Sequence, residues 1–188
     1  MRIGRKSVPA TERAFNEPLP ARLYIDTNDL LDYFVTSSPN HARVERFIFR
    51  LGAHRVTMLY LSSISWLEFV NAIRRQNFRD ALPVDWRQRY QLDRWQDLVV
   101  RRRYFAAWLG LLEDLISRFE RNEVAVTPEV RTRAIGYVST YNLKPQDAAH
   151  LACAHESGVV DLASFDEDFR RVGGLNLWND KIYTYPVT

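Results

Sequence analysis

A single cysteine, Cys153, stands in the 188 residues, so no disulfide can close within the chain and a thiolate metal cluster is excluded. No apolar run is long enough to span a bilayer. The opening stretch, MRIGRKSVPATERAFNEPLPAR, lacks the apolar core of a signal peptide. These absences lead us to expect a soluble, cytoplasmic protein with a flexible N-terminal arm over residues 1–20. Repeats and low-complexity segments are also missing, and Gly and Pro are few. The turn DTNDLL after the first apolar run has none of the glycines that a dinucleotide-binding turn needs. Asn28 stands where an aspartyl-phosphate phosphatase wants a second aspartate. His150 and His155 are five apart, not the four of a zinc-binding H-E-x-x-H helix, and are read as ordinary helix residues.

What is present is enough apolar sequence for one domain with a real core. Its charge is unevenly spread. Between Arg74 and Arg103 nine arginines face four aspartates, a local balance of +5. The whole chain carries +3, so the remainder sums to −2. A basic segment on a nearly neutral body points to an anionic partner, nucleic acid first. A solvated helix face with Asp–Arg pairs is the plainer alternative.

Along the chain, β-prone runs alternate with helical periodicity. RLYID, RVTMLYLSS, EVAVT and VVDLASF read as strands, and LNLW or KIYTY as a last one. Between them lie helical stripes. DLLDYF takes Asn28 or Asp29 as its cap. Val44, Phe47, Ile48 and Leu51 mark a helix closed by Gly52, and Leu67, Val70 and Ile73 mark another. Trp108, Leu111, Leu112, Leu115, Ile116 and Phe119 form a further face. KPQDAAHLACAHESG opens on a proline suited to a first turn and ends in Gly158. The alternation predicts a parallel sheet covered on both faces.

In such sheets ligands bind beyond the carboxyl ends of the strands. Asp26 ends the first strand, Glu68 follows the second, Asp147 opens the DAAHLACA helix and Asp166 follows the fourth strand. Each has a plain reading. Ser65 to Glu68 and Ser164 to Glu167 fit capping boxes, and Asp147 suits a helix dipole. Asp29, Asp32, Asp161 and Glu156 look like solvated surface, and Asp168 is near enough to join the pocket. At matching places in successive strand–helix units, however, four carboxylates would repel one another unless a cation neutralised them. An all-oxygen pocket suits Mg²⁺ or Mn²⁺.

The segments LYIDTNDLLDYF, SSISWLEFVNAIRR, DAAHLACA and LASFDEDF resemble, in order, the PIN-domain nucleases, and among them VapC-type toxins of toxin–antitoxin pairs. The resemblance covers roughly residues 22–178. It implies a three-layer α/β/α sandwich with a central parallel sheet of four to five strands. The domain would span 21–188, with a helical, Arg-rich elaboration around 74–121 that is longer than a compact toxin needs. It also implies a divalent-metal-dependent endoribonuclease. Asp26, Glu68, Asp147 and Asp166 would be its core acids, with Asp26, Asp147 and Asp166 on Mg²⁺ or Mn²⁺. Asn28, Ser164 and Asp168 would support them. A small antitoxin protein and a homodimer are the implied partners, and a catalytically silent RNA- or protein-binding PIN-like module is the alternative. Arg74, Arg75, Arg79, Arg101, Arg102 and Arg103 are expected on RNA phosphates, with Trp86, Tyr90 or Trp95 stacking on bases, core packing being the plainer reading for at least two of the three. Replacing the arginines should weaken RNA affinity and flatten its salt dependence, and an unchanged salt slope would contradict this.

Overall fold

The computed structural model describes residues 9–55, 57–81 and 98–180, the side chains of 73–81 and 98–105 lying outside that description. Six strands make one sheet: β1 (Thr11–Arg13), β2 (Arg22–Ile25), β3 (Met58–Ser62), β4 (Arg121–Val124), β5 (Asp161–Ala163) and β6 (Asn176–Trp178). Their spatial order is β1-β6-β5-β2-β3-β4, and every pairing is parallel. The helices are α1 (Thr27–Phe34), α2 (His41–His54), α3 (Ser63–Ala81), α4 (Leu98–Ser117), α5 (Pro128–Tyr141) and α6 (Pro145–Glu156), joined by a 3-10 helix at Glu167–Arg171.

Buried parallel strands carry continuous apolar runs, because both of their faces are covered. Leu23, Tyr24 and Ile25 are all fully buried. Alternation of side chains then sorts the core into two halves. Leu23, Ile25, Leu59, Leu61 and Ala163 pack with Leu30 of α1, Phe47 of α2, Phe69 of α3 and Leu112 of α4. Tyr24, Tyr60 and Leu162 pack on the other face with Val130 of α5 and Leu151 of α6. This is the expected three-layer α/β/α sandwich. From β2 the chain moves to β3 on one side and later returns to β5 on the other. The carboxyl end of β2 is therefore a switch point, where open parallel sheets form their crevice.

The sheet has six strands rather than four to five, because the N-terminal segment is not a loose arm throughout. Its residues 11–13 pair with β6, held also by Thr11 N–H donating to Leu175 O at 2.8 Å. Phe15 is 6% exposed and stacks on Phe47, with ring centroids 4.0 Å apart. LNLW supplies β6, whereas KIYTY lies outside the described residues.

Several local expectations shift. Helix α1 starts two to three residues earlier than expected, with Asp26 at the N-cap position in place of Asn28 or Asp29. Gly52 lies inside α2, which runs on to His54 and ends at Arg55 with φ 45°. On α3, Leu67 is 69% exposed and Phe69 is fully buried, so Leu67 does not belong to the buried face. Leu111 of α4 is exposed as well, while Leu112, Leu115 and Ile116 are buried. The helix of DAAHLACA ends as read, with Gly158 at φ +65°. Residues 82–97 of the Arg-rich elaboration lie outside the described residues.

Truncating Phe15 tests whether its segment belongs to the core. Phe15→Ala is expected to lower the unfolding free energy by about 3 kcal/mol, read as a drop in urea midpoint at constant m-value. A loose arm would leave the midpoint within about 0.5 kcal/mol of the parent.

Candidate metal centre

Asp26 follows β2 directly, its backbone N–H donating to Ala163 O on the neighbouring strand at 3.0 Å. The pairing brings the end of β2 beside the end of β5. Ser164, the first residue past β5, donates its hydroxyl to Asp26 Oδ2 at 2.7 Å and accepts from the Asp166 N–H at 3.0 Å. Asn28 Nδ2 lies 3.4 Å from the same Asp26 oxygen. Ser164 and Asn28 thus both touch Asp26, and Ser164 also orients the turn that carries Asp166.

Glu68 does not cap its helix. Helix α3 begins right after β3, and Ser65 accepts instead from Ser62 N–H at 3.3 Å. Glu68 Oε2 is left to meet His150 Nε2 at 2.8 Å. Asp166 does cap the 3-10 helix, accepting from Asp168 N–H at 2.8 Å. Its other oxygen, Oδ2, takes the Lys144 ammonium at 2.9 Å. Lys144 Nζ also stands 3.5 Å from Asp168 Oδ2 and 3.7 Å from Asp147 Oδ2, and Asp168 pairs with Arg171 as well.

The acids therefore gather in two adjoining groups, Asp26 with Glu68 and His150, and Asp147 with Asp166 and Asp168. In each, one ligating atom per residue lies within 4.8 Å of the others. Two observations fit a divalent cation. The acids offer carboxylate oxygens, the donors that Mg²⁺ and Mn²⁺ prefer. And Asp147 Oδ2 is buried and accepts no hydrogen bond among the described residues, with the Lys144 ammonium 3.7 Å away.

The PIN domain family model matches residues 23–175. The chain belongs to the PIN domain family. No curated protein matches it in sequence. Its fold is similar to that of a toxin–antitoxin complex from Klebsiella pneumoniae (17% identity, TM-score 0.51, covering 81% of this chain and 94% of that one). It is similar to VapBC2 from Rickettsia felis bound to a promoter DNA fragment (10%, 0.53, 83% and 96%). A third likeness is to VapC20 from Mycobacterium tuberculosis, a Sarcin-Ricin loop cleaving toxin (17%, 0.50, 78% and 92%).

Electrostatics of this PIN domain site follow from burial and crowding. Burial, and then the charge of Asp166, push the Asp147 carboxyl up to about 6 from an ordinary 3.8. Burial opposes the charge on Glu68 as well, but the hydrogen bond and charge of His150 outweigh it and hold the carboxyl low. Lys144 is held protonated by its hydrogen bond to Asp166 and by the charge of Asp147. Cys153 is fully buried, and burial pushes its thiol up to about 11, so it is no nucleophile.

Two residues of this site escaped the sequence reading. His150 is no ordinary helix residue, being buried against Glu68 and Asp26; its signal was the three-residue spacing from Asp147, which puts both on one helix face. Lys144, next to Pro145 and three before Asp147, had the same signal. Asp29 is buried rather than solvated. Of the arginines, Arg74, Arg75 and Arg79 lie along α3 and Arg101, Arg102 and Arg103 along α4, but their side chains fall outside the described residues, as do Trp86, Tyr90 and Trp95.

A raised Asp147 pKa means the folded chain binds more protons than the unfolded one between about pH 4 and 6, so stability falls as pH rises through that window and stays lowered above it. Without divalent ions, Asp147→Asn is expected to melt above the parent at about pH 7.5 and level with it near pH 4. A parent that is the more stable at the higher pH contradicts this account of Asp147.

Proposed function

We propose that this PIN domain is a divalent-metal-dependent endoribonuclease that hydrolyses RNA phosphodiester bonds. The observation that carries the reading is the convergence of Asp26, Glu68, Asp147 and Asp166 at the carboxyl edge of β2, β3 and β5, with a buried Asp147 oxygen that accepts no hydrogen bond among the described residues. Asp26, Asp147 and Asp166 would hold Mg²⁺ or Mn²⁺, with Glu68 beside Asp26 as a further ligand or as proton acceptor. Bound there, such an ion activates water and stabilises charge on a phosphate in an in-line displacement.

The chain's own residues do the rest. Ser164 and Asn28 fix the Asp26 oxygen they touch, so the deepest carboxylate keeps one orientation. Asp168, tied to Lys144 and Arg171, braces the outer edge from a second position. Glu68 is ionised at neutral pH and keeps one oxygen clear of His150, which suits it to take a proton from the attacking water. The arginines between 74 and 103 supply the positive charge that a phosphate backbone requires.

The similar folds include toxin–antitoxin complexes and a toxin that cleaves the Sarcin-Ricin loop. They support the further reading that this chain is the toxin of such a pair, acting in the cytoplasm, dimerising and restrained by a small antitoxin. No described helix is long and apolar enough to cross a membrane. A second reading, a silent RNA- or protein-binding module, is favoured by one observation: Lys144 already neutralises part of the Asp147, Asp166 and Asp168 group.

Cleavage of RNA by the purified, partner-free protein separates the two. Mg²⁺- or Mn²⁺-dependent cutting is expected, abolished by EDTA and reduced on the order of a hundredfold or more in Asp26→Asn. A folded, metal-loaded protein that cuts none of several RNA classes would leave the binding module standing.

A further inference from the structure

His150 is a buried titratable group at the site to which neither the four acids nor the family reading gives a task. Only 1% exposed, it stands in the middle of α6 and lends both ring nitrogens to the site. Nε2 lies 2.8 Å from Glu68 Oε2 and 4.0 Å from Asp26 Oδ1. Nδ1 lies 2.8 Å from the Tyr24 hydroxyl and 3.5 Å from Ser62 Oγ. The ring thus joins α6, which carries Asp147, to α3, which carries Glu68, and to β2, which leads into Asp26.

A satisfied core histidine needs partners, but not these. Glu68 is half-buried, on a long side chain that would otherwise sample several rotamers. Its carboxylate is met at 2.8 Å by His150 Nε2. The direction of that bond follows from Glu68 itself: an ionised carboxylate only accepts, so Nε2–H donates to it. Behind the ring, the Tyr24 hydroxyl meets Nδ1 at 2.8 Å and anchors the imidazole.

We propose that His150 is a positioning residue: anchored by Tyr24, it holds Glu68 beside Asp26 and so raises the affinity of the site for a divalent cation. Outer partners of this kind orient metal ligands, and removing one costs about 10- to 100-fold in metal affinity. The inference rests on the reading of the acids as a cation site.

Mn²⁺ binding measured by calorimetry tests it without recourse to cleavage. His150→Leu, close in volume but unable to donate, is expected to weaken Mn²⁺ binding about tenfold. His150→Gln keeps a donor and is expected to recover most of that loss. Tyr24→Phe, which leaves the imidazole and the core volume in place, is expected to show a smaller loss and serves if the Leu variant does not fold. The decisive comparison is with Glu68→Gln. If His150 acts through Glu68, His150→Leu costs nothing further in that background. Equal losses in both backgrounds, unchanged binding in His150→Leu, or tighter binding there would each overturn the proposal while leaving the cation site intact. A parent protein that binds no Mn²⁺ would overturn both together.

Discussion

Mutual repulsion among carboxylates is the constraint on which the rest of this structure depends. Asp26, Glu68, Asp147, Asp166 and Asp168 are drawn to one edge of the sheet, and burial raises the cost of every negative charge placed there. The chain meets that cost with two internal cations or donors of different character. His150 is buried and locked between Tyr24 and Glu68. Lys144 is largely exposed and spans Asp147, Asp166 and Asp168 from the rim. Neither completes the site, since Asp147 Oδ2 accepts no hydrogen bond among the described residues. That incompleteness is what a divalent ion would relieve.

The parallel register delivers the acids to this edge. Tyr24 pairs with Tyr60 and Leu162, so the ends of β2, β3 and β5 lie level, and the residues just beyond them become neighbours. Helix α6 packs across the same face through Leu151 and Ala152, which places its first turn over the strand ends. Fold and site are thus one problem: a slip in register would move Asp26 away from Ser164 and break the hydroxyl bridge to Asp166.

Much of this was legible in the residues themselves. Alternating strands and helices, with acids at strand ends, led to a parallel sheet covered on both faces and to one end of it, and the resemblance to PIN domains to the three-layer sandwich. The DAAHLACA helix was bounded closely because Pro145 and Gly158 restrict the backbone directly. Errors arose where tertiary contacts overrode local pattern. TER in residues 11–13 has no apolar periodicity, so only pairing with β6 makes it a strand. Leu67 fits a helical stripe as well as Phe69 does, and packing against α1 decides between them. Capping templates at Ser65 and Ser164 were real but differently used, because the first helix starts at once after its strand. His150 was weighed only against His155, its partner in a zinc motif, and not against Asp147 one turn earlier.

The central claim is that these carboxylates form one cation site, and anomalous diffraction from crystals grown with Mn²⁺ tests it most directly. A peak is predicted within about 2.0–2.3 Å of carboxylate oxygens of Asp26 and Asp147, with the Lys144 ammonium moved away from Asp147. A peak elsewhere, or none, with Lys144 still seated among Asp147, Asp166 and Asp168, would contradict it.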